Sequence, residues 1–169
     1  VVGTMDSPAA MFLLNEALVR TGTPGLFAQA YECACGGEIL VVLGGKGPCL
    51  FCATGFRVGL EAGLQPHERR QAYQAADANR LVVEPGLGTD ITFLASVATA
   101  YALAVLDPTG SRTDLLLDGG AFVLVHGGSR PRDTYAELFR RPFEILHARV
   151  TRDEPCPVCG YCTRAEKAS

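Results

Sequence analysis

The sequence predicts an α/β domain, and three observations carry that expectation. A well-capped helical pattern opens the chain at Ser7-Pro8, two short apolar runs of strand character follow at Leu26–Tyr31 and Glu38–Leu43, and a second, strongly apolar helical stretch covers Ile91–Leu106. At 169 residues the chain fits one domain and is long enough to bury a core without disulfides. Its composition, 48% apolar and 20% charged, excludes a disordered chain. Fifteen Lys and Arg against 18 Asp and Glu give a net charge of −3 with no basic footprint, so no nucleic-acid partner is expected.

Val1-Val2 reads as a strand already under way, which leads us to expect a piece of a longer protein. Ser7 can cap free amides and Pro8 suits the first helical position, with Met11, Leu14, Ala17 and Leu18 on one face and Gly22 as the stop. Leu26–Tyr31 and Glu38–Leu43 form a hairpin around Cys33-Ala34-Cys35-Gly36-Gly37. Gly44-Gly45-Lys46-Gly47-Pro48 is a turn leading into Cys49. Gln65–Arg80 is polar and reads as an exposed connection, followed by the glycine-rich approach Glu84–Asp90, in which Thr89 or Asp90 caps the next helix.

That helix, Ile91–Leu106, is apolar nearly all round, which predicts burial on most sides. Its uncharged run of 16 residues is short of the roughly 20 that span a bilayer, so no membrane partner is expected. No basic leader followed by an apolar stretch is visible at the start, and the chain reads as cytoplasmic. Asp114–Val125 reads as a hairpin turning at Asp118-Gly119-Gly120, Tyr135–Arg140 as a short helix, and Phe143–Val150 as a strand.

Seven cysteines sit at 33, 35, 49, 52, 156, 159 and 162. Two pairs, Cys49-x-x-Cys52 and Cys156-x-x-Cys159, have the spacing of metal knuckles, in which a tight turn sets two sulfurs on one side. Four thiolates suit a closed, structural zinc site with no open position for catalysis. The bland alternative is a set of unrelated free thiols. With 103 residues between Cys52 and Cys156, a shared ion joins distant segments. Gly160 permits the tight backbone after Cys159. Cys33 and Cys35 read as buried thiols, and Cys162 as a possible replacement ligand.

The order of a strand ending near Asp6, a helix with Asn15, two strands, Gly47-Pro48-Cys49-x-x-Cys52, a polar crossing loop, Pro85-Gly86-Leu87-Gly88-Thr89-Asp90-Ile91, an apolar helix and Cys156-x-x-Cys159 resembles the C-terminal half of ThiF/MoeB/HesA-type adenylyltransferases, relatives of the ubiquitin-activating enzymes. The resemblance covers nearly all of residues 1–169 and implies a partial Rossmann-like open sheet, parallel and then antiparallel, with helices and a zinc knuckle. It implies adenylylation of the C-terminal glycine of a ubiquitin-like or sulfur-carrier protein, using ATP and magnesium bound with an upstream half. It also implies a homodimer. Asp6 matches the family's catalytic aspartate, which follows a sheet strand and helps hold magnesium–ATP. As a residue, Asp6 is equally an ordinary turn before a helix cap.

Three features depart from the family pattern. No G-x-G-x-x-G loop precedes a helix, and Gly86-Leu87-Gly88 lacks the third glycine. Met11 stands where the family has an arginine. Residues 53–90 hold no cysteine, so no thioester or persulfide relay is expected through that loop. His67, Arg69-Arg70 and Arg140-Arg141 read as solvated side chains, and His126 and His147 as core or edge positions. The alternative function is a non-catalytic, zinc-stabilised protein-binding or dimerisation module.

Overall fold

The computed structural model describes residues 1–5, 7–31, 34, 36–53, 88–116, 120–127 and 140–160. Asp6, Cys33, Cys35, His67, Arg69, Arg70, Cys162, the crossing segment 54–87 and the helix expected over Tyr135–Arg140, apart from Arg140 itself, lie outside the described residues.

The described chain is mixed α/β with one five-stranded open sheet. Strand β1 (Val2–Gly3) leads to helix α1 (Pro8–Thr21), then β2 (Pro24–Ala30) and β3 (Gly36–Leu43). Helix α2 (Gly88–Leu106), a 3-10 turn at Thr113–Leu115, β4 (Gly120–His126) and β5 (Ile145–Ala148) complete it. The strands lie side by side in chain order. β1 and β2 are parallel, which α1 makes feasible as the crossover, and every later pairing is antiparallel.

The start of α1 follows from its sequence: Ser7 is the N-cap, its hydroxyl accepting from the Ala10 amide, and proline occupies the first turn. Gly22, at φ 66°, closes the other end. The inward stripe is Met11, Asn15, Leu18 and Val19, while Ala17, expected inside, faces solvent.

The run Ile39-Leu40-Val41-Val42 explains why β3 is central. Leu40 and Val42 join Phe27 of β2 beneath α1, whereas Ile39 and Val41 join Leu26, Val123 and Val125 beneath α2. A strand covered on both faces needs a continuous apolar run rather than alternation. Both cysteine pairs belong to the α1 side of the sheet.

Three expectations fail here. Helix α2 is not buried on most sides: Leu94, Tyr101 and Ala104 pack inward, but Ile91, Leu103 and Leu106 are 49%, 42% and 78% exposed. A sheet can cover only one face of a helix packed on it, so an all-round apolar helix keeps a bare side. By length and composition alone this 19-residue helix is apolar enough to cross a membrane, yet its inner face lies on the sheet. Thr89 and Asp90 lie within its first turn rather than at a cap. The Asp114–Val125 hairpin is also absent among the described residues. Thr113–Leu115 is a 3-10 turn, and β4 finds its partners in β3 and β5. Leu115-Leu116-Leu117 has no period-two alternation, and the competing strand β3 offers β4 a longer apolar ladder.

The final strand is shorter than Phe143–Val150. Phe143 sits at φ 60° before it and stacks edge-on against Phe93 of α2. Arg140 and Arg141 are exposed, as expected, and their amides donate to Glu144 Oε2. His126 is buried with Nδ1 3.0 Å from the Arg141 carbonyl, and His147 lies on the edge strand with Nδ1 3.3 Å from the Tyr101 hydroxyl.

Candidate metal centre

The first knuckle begins where β3 ends. The Lys46 amide bonds back to the Leu43 carbonyl across Gly44-Gly45, and the chain then enters Cys49 and one helical turn, closed by the Ala53 amide on the Cys49 carbonyl. The second knuckle is built alike: the Gly160 amide donates to the Cys156 carbonyl at 2.9 Å. Gly160 is required less for its torsion than for space, because a Cβ there would lie 2.5 Å from the Glu154 carbonyl oxygen.

The two knuckles meet. All four sulfurs of Cys49, Cys52, Cys156 and Cys159 lie within 4.8 Å of one another. Cys49 and Cys52 are 3.9 Å apart, Cys49 and Cys156 3.7 Å, and Cys52 and Cys159 3.4 Å. Sulfurs about 2.3 Å from a central zinc sit about 3.8 Å apart in a tetrahedron, so the cluster has the size and donor set of a four-thiolate site. All four remain thiols rather than disulfides. Cys49, Cys156 and Cys159 are fully enclosed, which leaves no entry for a catalytic water at those ligands.

Burial pushes the Cys49 thiol up to about 11 and raises Cys159 further still, each with neighbouring sulfur adding to the effect. Burial works against Cys156 too, but amide hydrogen bonds from Cys159 and Val158 draw it below the usual thiol range. A dication reverses this balance, because it binds the thiolate form. Zinc uptake near neutral pH is therefore expected to release at least two protons, one each from Cys49 and Cys159. The sign is an affinity that climbs as pH rises towards the thiol range. Calorimetric titration in buffers of different ionisation enthalpy reads it directly, and pH-independent uptake would contradict it.

Two side chains outside the cysteine pattern hold the knuckles. Arg152 donates through Nη1 to the Gly45 carbonyl at 3.0 Å and through Nη2 to the Cys159 carbonyl, pinning the second knuckle to the turn before the first. Asn15 of α1 accepts the Leu50 amide at 3.0 Å. Arg152 has no sequence signature at four residues before a cysteine. Asn15 does have one: it is a polar residue one turn after Met11 in an otherwise apolar stripe, where only a satisfied role is tolerated.

Met11, at the place of the family's arginine, is buried, and Gln29 Nε2 approaches its sulfur at 2.9 Å. β1 ends at Gly3 and α1 begins at Pro8, so the carboxyl end of the strand is followed closely by a helix N-terminus, the place where parallel sheets bind ligands.

Solved structures share the fold of this chain. E. coli MccB with ATP aligns over 94% of this chain and 39% of MccB, with TM-score 0.55 and 13% identity. MccB with AMPCPP and MccA aligns over 94% and 39%, with TM-score 0.54 and 14% identity. MccB alone gives 94% and 38%, with TM-score 0.52 and 12% identity. The chain thus spans less than two fifths of MccB, and at these identities the likeness is one of fold. No family profile matches the sequence, and no curated relative does.

Proposed function

We propose that this chain is the carrier-binding, zinc-containing part of an ATP-dependent adenylyltransferase of the ThiF/MoeB type. The observation that carries the reading is the convergence of both C-x-x-C knuckles beside α1, in a fold similar to part of MccB, whose solved structures hold ATP and MccA. Zinc is bound by Cys49, Cys52, Cys156 and Cys159 and is structural, since the four-sulfur shell is closed. Its part is to clamp the tail to the turn after β3.

The reaction joins a carrier's terminal carboxylate to AMP: a carboxylate oxygen attacks the α-phosphorus of ATP and pyrophosphate leaves. Such chemistry asks mainly for positioning and charge neutralisation. Asp6, which follows β1 in the sequence, helps hold magnesium–ATP together with residues of an ATP-binding half. The carrier, of ubiquitin-like or sulfur-carrier type, is activated at its C-terminal glycine. The proposed setting is the cytoplasm, a reducing compartment that suits thiolate ligands.

Exchange of labelled pyrophosphate into ATP, dependent on a carrier with a free terminal glycine, tests the activity in the full-length protein. Exchange abolished by Asp6→Ala supports the reading. No exchange with any carrier tail leaves the second reading, a zinc-stabilised binding module, which the buried Met11–Gln29 contact at the arginine position favours.

The bare side of α2 is proposed as the contact of a homodimer. The Thr92, Ser96 and Thr99 hydroxyls bond back to the Gly88, Thr92 and Ala95 carbonyls, so this face presents no unsatisfied donor among these residues. Leu103→Glu with Leu106→Glu is expected to convert a dimer to monomer in light scattering, leaving the thiolate site loaded. A monodisperse wild-type monomer would refute the contact.

A further inference from the structure

The Asn15 side chain is fully buried in the middle of α1. Its Oδ1 is committed to the Leu50 amide, one residue after the first cysteine. Its Nδ2 is equally buried and makes no hydrogen bond. Exchanging the two amide atoms gives no escape, since Nδ2 would then face the Leu50 N–H, donor against donor. The bond to Leu50 seats this orphaned donor at the first knuckle, beside the residue that follows Cys49. A neutral thiol is a weak acceptor, whereas a sulfur carrying charge accepts an amide N–H well.

We propose that Asn15 is the positioning residue of the thiolate centre, its Nδ2–H donating to the Cys49 sulfur of the metal-loaded protein while its Oδ1 holds the Leu50 amide. The proposal rests on the metal reading above. It gives the orphaned donor a partner in the loaded state only. One side chain then fixes both the sulfur and the backbone of the first knuckle, and it does so from α1, the helix that follows β1 directly. Outer-shell donors of this kind hold a ligand's orientation and steady its charge.

The test uses the full chain, nitrogen-labelled and loaded with a spin-active cadmium isotope in place of zinc. A scalar coupling between cadmium and the Asn15 side-chain amide proton, transmitted through N–H···S, is the expected result. Cadmium seated on four sulfurs with no coupling to that amide overturns the proposal and leaves the metal reading intact. Failure to take up cadmium or zinc overturns both. A variant adds a second readout. Asn15→Asp keeps the acceptor for Leu50 and the side-chain shape but removes the donor. It is expected to lose roughly 10–100-fold in metal affinity and to shift the sulfur-to-cobalt charge-transfer bands of the cobalt-loaded protein. A folded Asn15→Asp protein with unchanged affinity and bands would show a merely structural side chain. Should that variant not fold, the cadmium spectrum of the wild type still decides.

Discussion

Stripping the metal with a strong chelator is expected to abolish the cooperative unfolding transition of this chain. Binding free energies of structural zinc run to about 10–16 kcal/mol at neutral pH and, where no site exists in the unfolded chain, count as folding free energy. A whole domain has a net stability of only about 5–15 kcal/mol. Cys49, Cys156 and Cys159 are also members of the apolar cluster beneath α1, together with Met11, Leu18, Phe27 and Leu40. Without an ion, three buried thiols and the half-buried Cys52 are left with no bond to join the two knuckles in the core. The expected readings are one equivalent of zinc in the purified protein, and loss of helical signal and of a sharp thermal transition on chelation. Both should return when zinc is added. Cys52→Ser or Cys159→Ser is expected to give the same loss without chelator. A metal-free chain that melts at the same temperature as the loaded one would contradict the clamp.

The second large effect is expected at Gly120. This residue starts β4, pairs in register with Val42 and has φ 142°, a region that residues with a side chain rarely enter. A Cβ there would also overlap the Val41 carbonyl of the central strand. Gly120→Ala therefore combines backbone strain with overpacking, each about 1–3 kcal/mol, and is expected to lower the urea midpoint by a large fraction of the total. Denaturation of the metal-loaded variant measures it. A loss under about 0.5 kcal/mol, the size of an ordinary surface change, would mean that β4 can shift its entry without cost.

Much of the α1 half was legible in the residues themselves, because its signals are local. Ser7-Pro8, Gly22 and the Gly44-Gly45 turn each act within a few residues, and the structure places them where their chemistry predicts. The cysteine pairs were legible for a different reason: C-x-x-C fixes two sulfurs locally, and a closed shell demands a second pair. What spacing could not supply is anything decided by a distant partner. The exposure of α2 depends on how much helix a sheet can cover. The fate of residues 113–116 depends on β3 winning β4 as its neighbour. Arg152 acts on a carbonyl 107 positions away, and nothing near it in the chain marks that role. Gly120, read as the last residue of a turn, proved to be the first of a strand because its ladder partner lies in β3.

The distribution of β3, β4 and the knuckles along the chain bears on how this protein could be assembled. Residues 1–53 carry three strands and two of the four clustered sulfurs, and residues 88–160 carry the other two strands and the other two clustered sulfurs. Neither fragment can complete a coordination shell or a sheet, yet each holds the complement of the other. Co-expressed as separate polypeptides, the two should reconstitute one another in a zinc-dependent manner, so that a gene encoding this fold tolerates being split at its middle.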